Sequence, residues 1–95
     1  RHPLGFVFTD GVKAMADIAG AYWLLDVVGS YQPQLRKVPF QIWRMDSKDG
    51  QGTVTMRGDS NRPDRVRQEI PYTDFPEGVF EMYFTDRVLM LKREY

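Results

Sequence analysis

Between residues 10 and 19 the apolar positions recur at helical spacing. Val12, Met15, Ile18 and Ala19 share one face, which Tyr22 extends, and Lys13 and Asp17 lie opposite. Thr9-Asp10 just before this run predicts a helix start, because either side chain can accept from an unpaired backbone N–H. Past Gly20 the pattern fails. Asp26 would fall inside the apolar face, while Leu24 and Val28 would leave it. Either the chain bends at Gly20, a poor helix former, or one helix is buried on different sides along its length. The preferred reading is a bend or two short helices, 10–19 and 20–31, with Gly29 and Pro33 ending the second.

From residue 38 the period changes to two. Val38, Phe40 and Ile42 alternate with Gln41 and Trp43, and Thr53–Arg57 resumes the alternation after KDGQG. This predicts a hairpin with a loop longer than two residues. GDSNRPD (58–64) leads into a strand at Arg65–Ile70. Pro71 and Pro76 bracket an irregular connection, and Val79–Phe84 and Val88–Leu91 form a last hairpin around Thr85-Asp86-Arg87. The predicted fold class is α+β: a bent helix or helix pair packed on one face of a four- to five-stranded antiparallel meander. If Phe40 and Ile42 point inward, then Trp43 and Met45 point outward, as does Tyr83 where Phe80, Met82 and Phe84 point in. Both sheet faces then carry large apolar groups, which predicts association through Trp43, Met45 and Tyr83.

The chain has 95 residues, 13 basic and 13 acidic groups, one histidine and no cysteine. That length suits one domain, 1–95, and the non-Met start is read as a native N-terminus lying upstream. Without cysteine there is no disulfide scaffold, thiolate nucleophile or Cys-based zinc site. Residues 1–50 carry six basic and five acidic groups and residues 51–95 seven and eight, so net charge gives no push toward nucleic acid or an anionic membrane. The longest apolar run, Ala21–Leu25, is far short of a bilayer span, and no membrane partner is expected.

Candidate chemistry is sparse. His2 has no motif around it and reads as an exposed terminal residue. Tyr22, Trp23, Asp26 and Ser30 form a polar-aromatic strip on the second helix, a possible ligand strip in which Asp26 more simply bonds within its own fold. Asp46-Ser47-Lys48-Asp49-Gly50 begins like a calcium loop, but position 57 is Arg where the bidentate Glu belongs, so no metal is expected. Arg57-Gly58-Asp59-Ser60 spells an adhesion tripeptide and reads as chance. Arg57, Arg62, Arg65 and Arg67 form the one basic cluster, a possible phosphate contact diluted by Asp59, Asp64 and Glu69. An enzyme would have to be built on Asp26, Asp74 or Glu81; no catalytic residue and no cofactor is expected.

The strings TDGVK (9–13), AGAYWLLD (19–26), SYQ (30–32), FQIW (40–43), RQEIPYTDFP (67–76) and VLMLKREY (88–95) together resemble a family of small uncharacterised bacterial proteins, a domain of unknown function often carried on plasmids or in phage-like regions. The resemblance implies a cytoplasmic accessory protein and assigns no activity. The leading expectation is a non-enzymatic interaction module that self-associates as a homodimer through its sheet. The alternatives are a nucleic-acid-binding accessory protein using Arg57–Arg67 and, third, a small carboxylate enzyme.

Overall fold

The computed structural model describes residues 5–59 and 61–95; His2 and Ser60 lie outside them. Thr9 is extended and its Oγ1 accepts from the Val12 N–H, which starts helix α1 (Asp10–Ala19). Gly20 ends it in the left-handed region (φ 61°), a conformation glycine adopts without strain. Helix α2 (Tyr22–Tyr31) follows at once, so the chain forms two helices. Leu24, Leu25 and Val28 face the core; of the predicted strip, Tyr22, Asp26 and Ser30 are exposed, whereas Trp23 is half-buried and packs against the core. A 3₁₀ turn (Gln32–Gln34) closes the helical half.

A two-residue strand β1 (Val7–Phe8) precedes the helices. After them come β2 (Phe40–Lys48), β3 (Gln51–Arg57), β4 (Val66–Ile70), β5 (Gly78–Thr85) and β6 (Val88–Leu91). The sheet has six strands in the order β1-β6-β5-β2-β3-β4. It is antiparallel except where β1 runs parallel to β6. The expected simple meander is therefore corrected. β5 returns to the far side of β2 instead of pairing with β4, which leaves the long β2 at the centre with partners on both edges.

The β2–β3 loop is also tighter than expected. Asp49 and Gly50 both have positive φ (55° and 75°), and Lys48 pairs directly with Gln51. This is the two-residue turn whose twist matches that of the flanking strands. Asp86-Arg87 (φ 53° and 61°) closes the β5–β6 hairpin in the same way.

Both helices cover one face of the sheet, and β2 alternates strictly across it. Gln41, Trp43 and Met45 are buried on the helical side, as is Ser47, which donates to the Phe75 carbonyl (3.0 Å); Phe40, Ile42, Arg44 and Asp46 take the other face. The expectation that Trp43 and Met45 point outward is thus overturned, since each is only 1% exposed. The cause is Gln41. A polar residue reads as outward, yet here its amide lies inside, fully paired. Its Nε2 donates to Gln32 Oε1 (2.9 Å) and to the Val38 carbonyl (3.1 Å). Its Oε1 accepts from Gln32 Nε2 (2.8 Å) and from the Trp43 indole (2.9 Å). Once Gln41 is inward, the period of two carries Trp43 and Met45 with it. Tyr83 does lie on the outer face, where its ring meets Phe40 and Tyr95.

Two outcomes follow from this parity. In a Trp23→Phe variant, the emission of the remaining Trp43 should be blue-shifted and nearly inaccessible to acrylamide. Gln41→Leu should cost about 2–4 kcal/mol in urea denaturation, because it strands the buried indole N–H and the Gln32 amide together.

Candidate functional site

Among the described residues the sheet leaves a gap where β6 ends. Strand β5 has eight residues and β6 four, so the ladder between them runs only from Thr85↔Val88 to Met82↔Leu91. Beyond Leu91 the chain enters a 3₁₀ turn (Lys92–Glu94). Glu94 holds that turn in place: its Oε1 accepts from the Leu91 N–H (2.9 Å) and from Thr9 Oγ1 (2.6 Å). The tail is thereby tied to the residue that caps α1. Gly11 permits the approach, since a Cβ there would come within 2.8 Å of Glu94 Oε2 and 2.9 Å of Leu91 Cδ1. The Thr9 hydrogen bond, then the Leu91 N–H, hold the Glu94 carboxyl below the usual carboxylate range; burial works weakly against them and the Arg93 charge assists.

Where β6 stops, a groove of about 540 Å³ opens between α1 and the first half of β5. Met15 and Ile18 line it from the helix, Val79 and Phe80 from the strand, and Leu91 and Lys92 at its end. A second recess, about 300 Å³, shares Met15, Ile18, Val79 and Phe80 and runs on to Phe75 and Pro76. Ile18 is 87% exposed and Val79 55% exposed, although both are aliphatic. Ile18 belongs to the apolar stripe read from the sequence, but its neighbours Val12 and Ala16 take the buried positions and Ile18 is left at the groove. On the outer face, Lys92 Nζ reaches Glu81 Oε1 (3.4 Å).

The residues singled out from the sequence lie elsewhere. Trp43 and Met45 are in the core, and Tyr83 is half-covered by Phe40 and Tyr95. On the helical strip Tyr22 donates its hydroxyl to Asp17 (2.5 Å), a bond that raises the phenol's pKa, with burial and the Asp17 charge adding to it. Ser30 donates to the Val27 carbonyl, and Asp26 is exposed. Arg57 and Arg67 face the outer side of the sheet around a shallow polar recess with Arg44, Asp46, Thr53, Thr55 and Asp64. Each of the two already grips a carboxylate: Arg57 holds Asp64 (3.0 Å) and Arg67 holds Glu69 (3.1 Å). Arg62 and Arg65 are exposed. Asp59 lies in a local turn that accepts from the Asn61 and Arg62 N–H groups.

The three carboxylates considered for catalysis do not converge. Asp26 is on the solvent side of α2, Asp74 in the exposed β4–β5 connection, and Glu81 on the opposite face of the sheet. No group of three or more metal-ligating side chains occurs among the described residues. No helix is long and apolar enough to cross a membrane among those residues. The groove itself escaped sequence reasoning. The available signal was the unequal length of the last two strand runs, which leaves the start of β5 without a neighbour.

The Glu94 tie can be tested with acid. Folding lowers its pKa, so its contribution is complete above the ordinary glutamate range and is lost as pH falls through the lower folded value. Thermal midpoints should therefore drop faster on acidification for the native chain than for Glu94→Ala, and the two curves should converge at low pH.

No curated protein and no solved structure matches the chain. A family model does match, over residues 1–95, under the description "Family of unknown function (DUF6876)". The chain belongs to that family.

Proposed function

We propose that this protein is a non-enzymatic protein-interaction module, and that its contact surface is the groove between α1 and β5. The observation carrying this reading is the apolar surface at the open edge of β5, where Ile18, mostly exposed, sits with the half-buried Met15 and Phe80 on the helical side and the exposed Val79 borders the same groove from the outer side. Contiguous apolar surface of this kind on a small domain is what a docking partner covers. The setting implied by the family resemblance, a bacterial accessory protein of a mobile element acting in the cytoplasm, belongs to the same proposal.

Self-association through the outer sheet face has weaker support. With Trp43 and Met45 inside, that face keeps Tyr83, Phe40 and Ile42, and the tail's Tyr95 already packs on the first two. The Arg57–Arg67 region supports nucleic-acid binding weakly too, because two of its arginines would have to leave Asp64 and Glu69 to meet phosphates.

The test is affinity capture from the native host with the tagged chain and with Ile18→Glu. Since Ile18 is 87% exposed, the substitution should shift stability by no more than about 0.5 kcal/mol. Loss of a specific protein partner with folding intact is the expected result. Identical capture by both chains would contradict the proposal.

A further inference from the structure

The groove has a backbone component that selects its occupant. In a two-residue hairpin the residues flanking the turn exchange hydrogen bonds, and such pairs alternate along the ladder. For the β5–β6 hairpin those pairs are Thr85↔Val88 and Tyr83↔Met90. Continuing the alternation along β5, Glu81 and Val79 direct their N–H and C=O groups to the same edge, while Phe80, Met82 and Phe84 direct theirs to β2. The Asp49-Gly50 turn gives the same answer independently. It directs the even-numbered residues of β2 to β3 and the odd-numbered ones to β5, where Trp43 meets Met82 and Met45 meets Phe80. On the β6 side, Val79 and Glu81 have no strand beside them, because β6 ends opposite Met82. The last pair, Met82↔Leu91, sets the Lys92 backbone beside the Glu81 carbonyl, so the sheet offers the N–H groups of Val79 and Glu81 and the Val79 carbonyl along an edge of about 13 Å, roofed by Met15 and Ile18 of α1.

Resting on the interaction-module reading, we infer that this half-edge is an acceptor for a short extended segment of another protein, which adds as a strand in line with β6. Alternate side chains of that segment face inward and pack among Met15, Ile18 and Phe80. The intervening ones lie on the outer side near Val79 and the Glu81–Lys92 pair. Lys92 and Arg93 are balanced at this end by Glu81 and Glu94, which favours a neutral polar residue there. Backbone bonds supply part of the affinity and the apolar pocket sets the register, as in other strand additions.

A second copy does not fit this slot through its own β5. Pairing Val79 with Glu81 of a copy would bring the copy's Gly78 opposite Met82, the position Leu91 already occupies. Shifting the register one way brings Pro76 or Glu77 into the same collision. Shifting it the other way calls on the copy's own Met82, whose edge its own Leu91 covers. The open stretch is short, only the four residues 78–81, or about 13 Å of strand. The slot has the dimensions of a peptide.

The experiment selects a display library of random octapeptides on the intact chain, then measures the selected peptides against Val79→Pro, Glu81→Pro and Ile18→Glu. Each proline removes one N–H from the open edge and leaves the β2–β5 ladder its bonds. The expected result is a set of peptides with apolar residues at alternate positions and at least tenfold weaker binding to each variant, with Trp fluorescence reporting that the fold is kept. Should both proline variants unfold, amide resonance shifts on the native chain decide: they should centre on residues 78–81 and the facing side of α1. No enriched peptide, enrichment of amphipathic-helix sequences, or shifts centred elsewhere overturns strand addition. If Ile18→Glu still abolishes host-partner capture while strand addition fails, the interaction-module reading stands alone; if capture is also indifferent, both fall.

Discussion

The side chain of Gln41 decides which face of this sheet becomes the core. Burying an amide without partners would cost several kcal/mol, and here each of its polar atoms is bonded to Gln32, to the Val38 carbonyl or to the Trp43 indole. Gln32 adds a bond to the Val28 carbonyl, so the network ties the end of α2 to the central strand. Because side chains alternate along a strand, that single placement fixes Trp43, Met45 and Ser47 inside. It also leaves Phe40, Ile42, Arg44 and Asp46 on the open face. The neighbours of β2 inherit the choice through register, so Met82 and Val54 face inward and Tyr83 outward.

The groove arises from a second constraint, at the other end of the chain. Glu94 satisfies the Leu91 N–H and the Thr9 hydroxyl together, which turns the tail away from the sheet after four residues of β6. One carboxylate thus secures the start of α1 and sets the length of the strand beneath it. The cost is an unpaired stretch of β5 below an exposed isoleucine. Natural sheets usually blunt such edges with charge, proline or a covering element. Glu81, Lys92 and Pro76 border this one, yet Val79 and Ile18 remain apolar and accessible. An edge half guarded in this way suits selective strand addition better than open-ended aggregation.

Much of the architecture was legible in the residues. The break at Gly20, the Thr9 cap and the change of period near residue 38 each have a local physical cause, and the helix pair, the α+β class and most strand positions follow from them. Parity and strand order were not legible. An inward glutamine depends on Gln32, nine residues away, and pattern reading counts it as polar and outward. The return of β5 to β2, and the parallel addition of the two-residue β1, depend on pairings that no local signal encodes. Ile18 shows the same limit on a helix, since it shares the apolar stripe of Val12 and Met15 and still faces the groove. The candidate site was therefore hidden, and attention fell on Trp43 and Met45, which the core absorbs.

Strand addition depends on the unpaired half of β5, and residue-resolved amide hydrogen exchange on the free protein examines it most directly. The amides of Val79 and Glu81 should exchange quickly, whereas those of Phe80, Met82, Tyr83 and Phe84, bonded to β2 or β6, should be strongly protected. Strong protection at Val79 and Glu81 as well would mean that the edge is already filled, which contradicts strand addition.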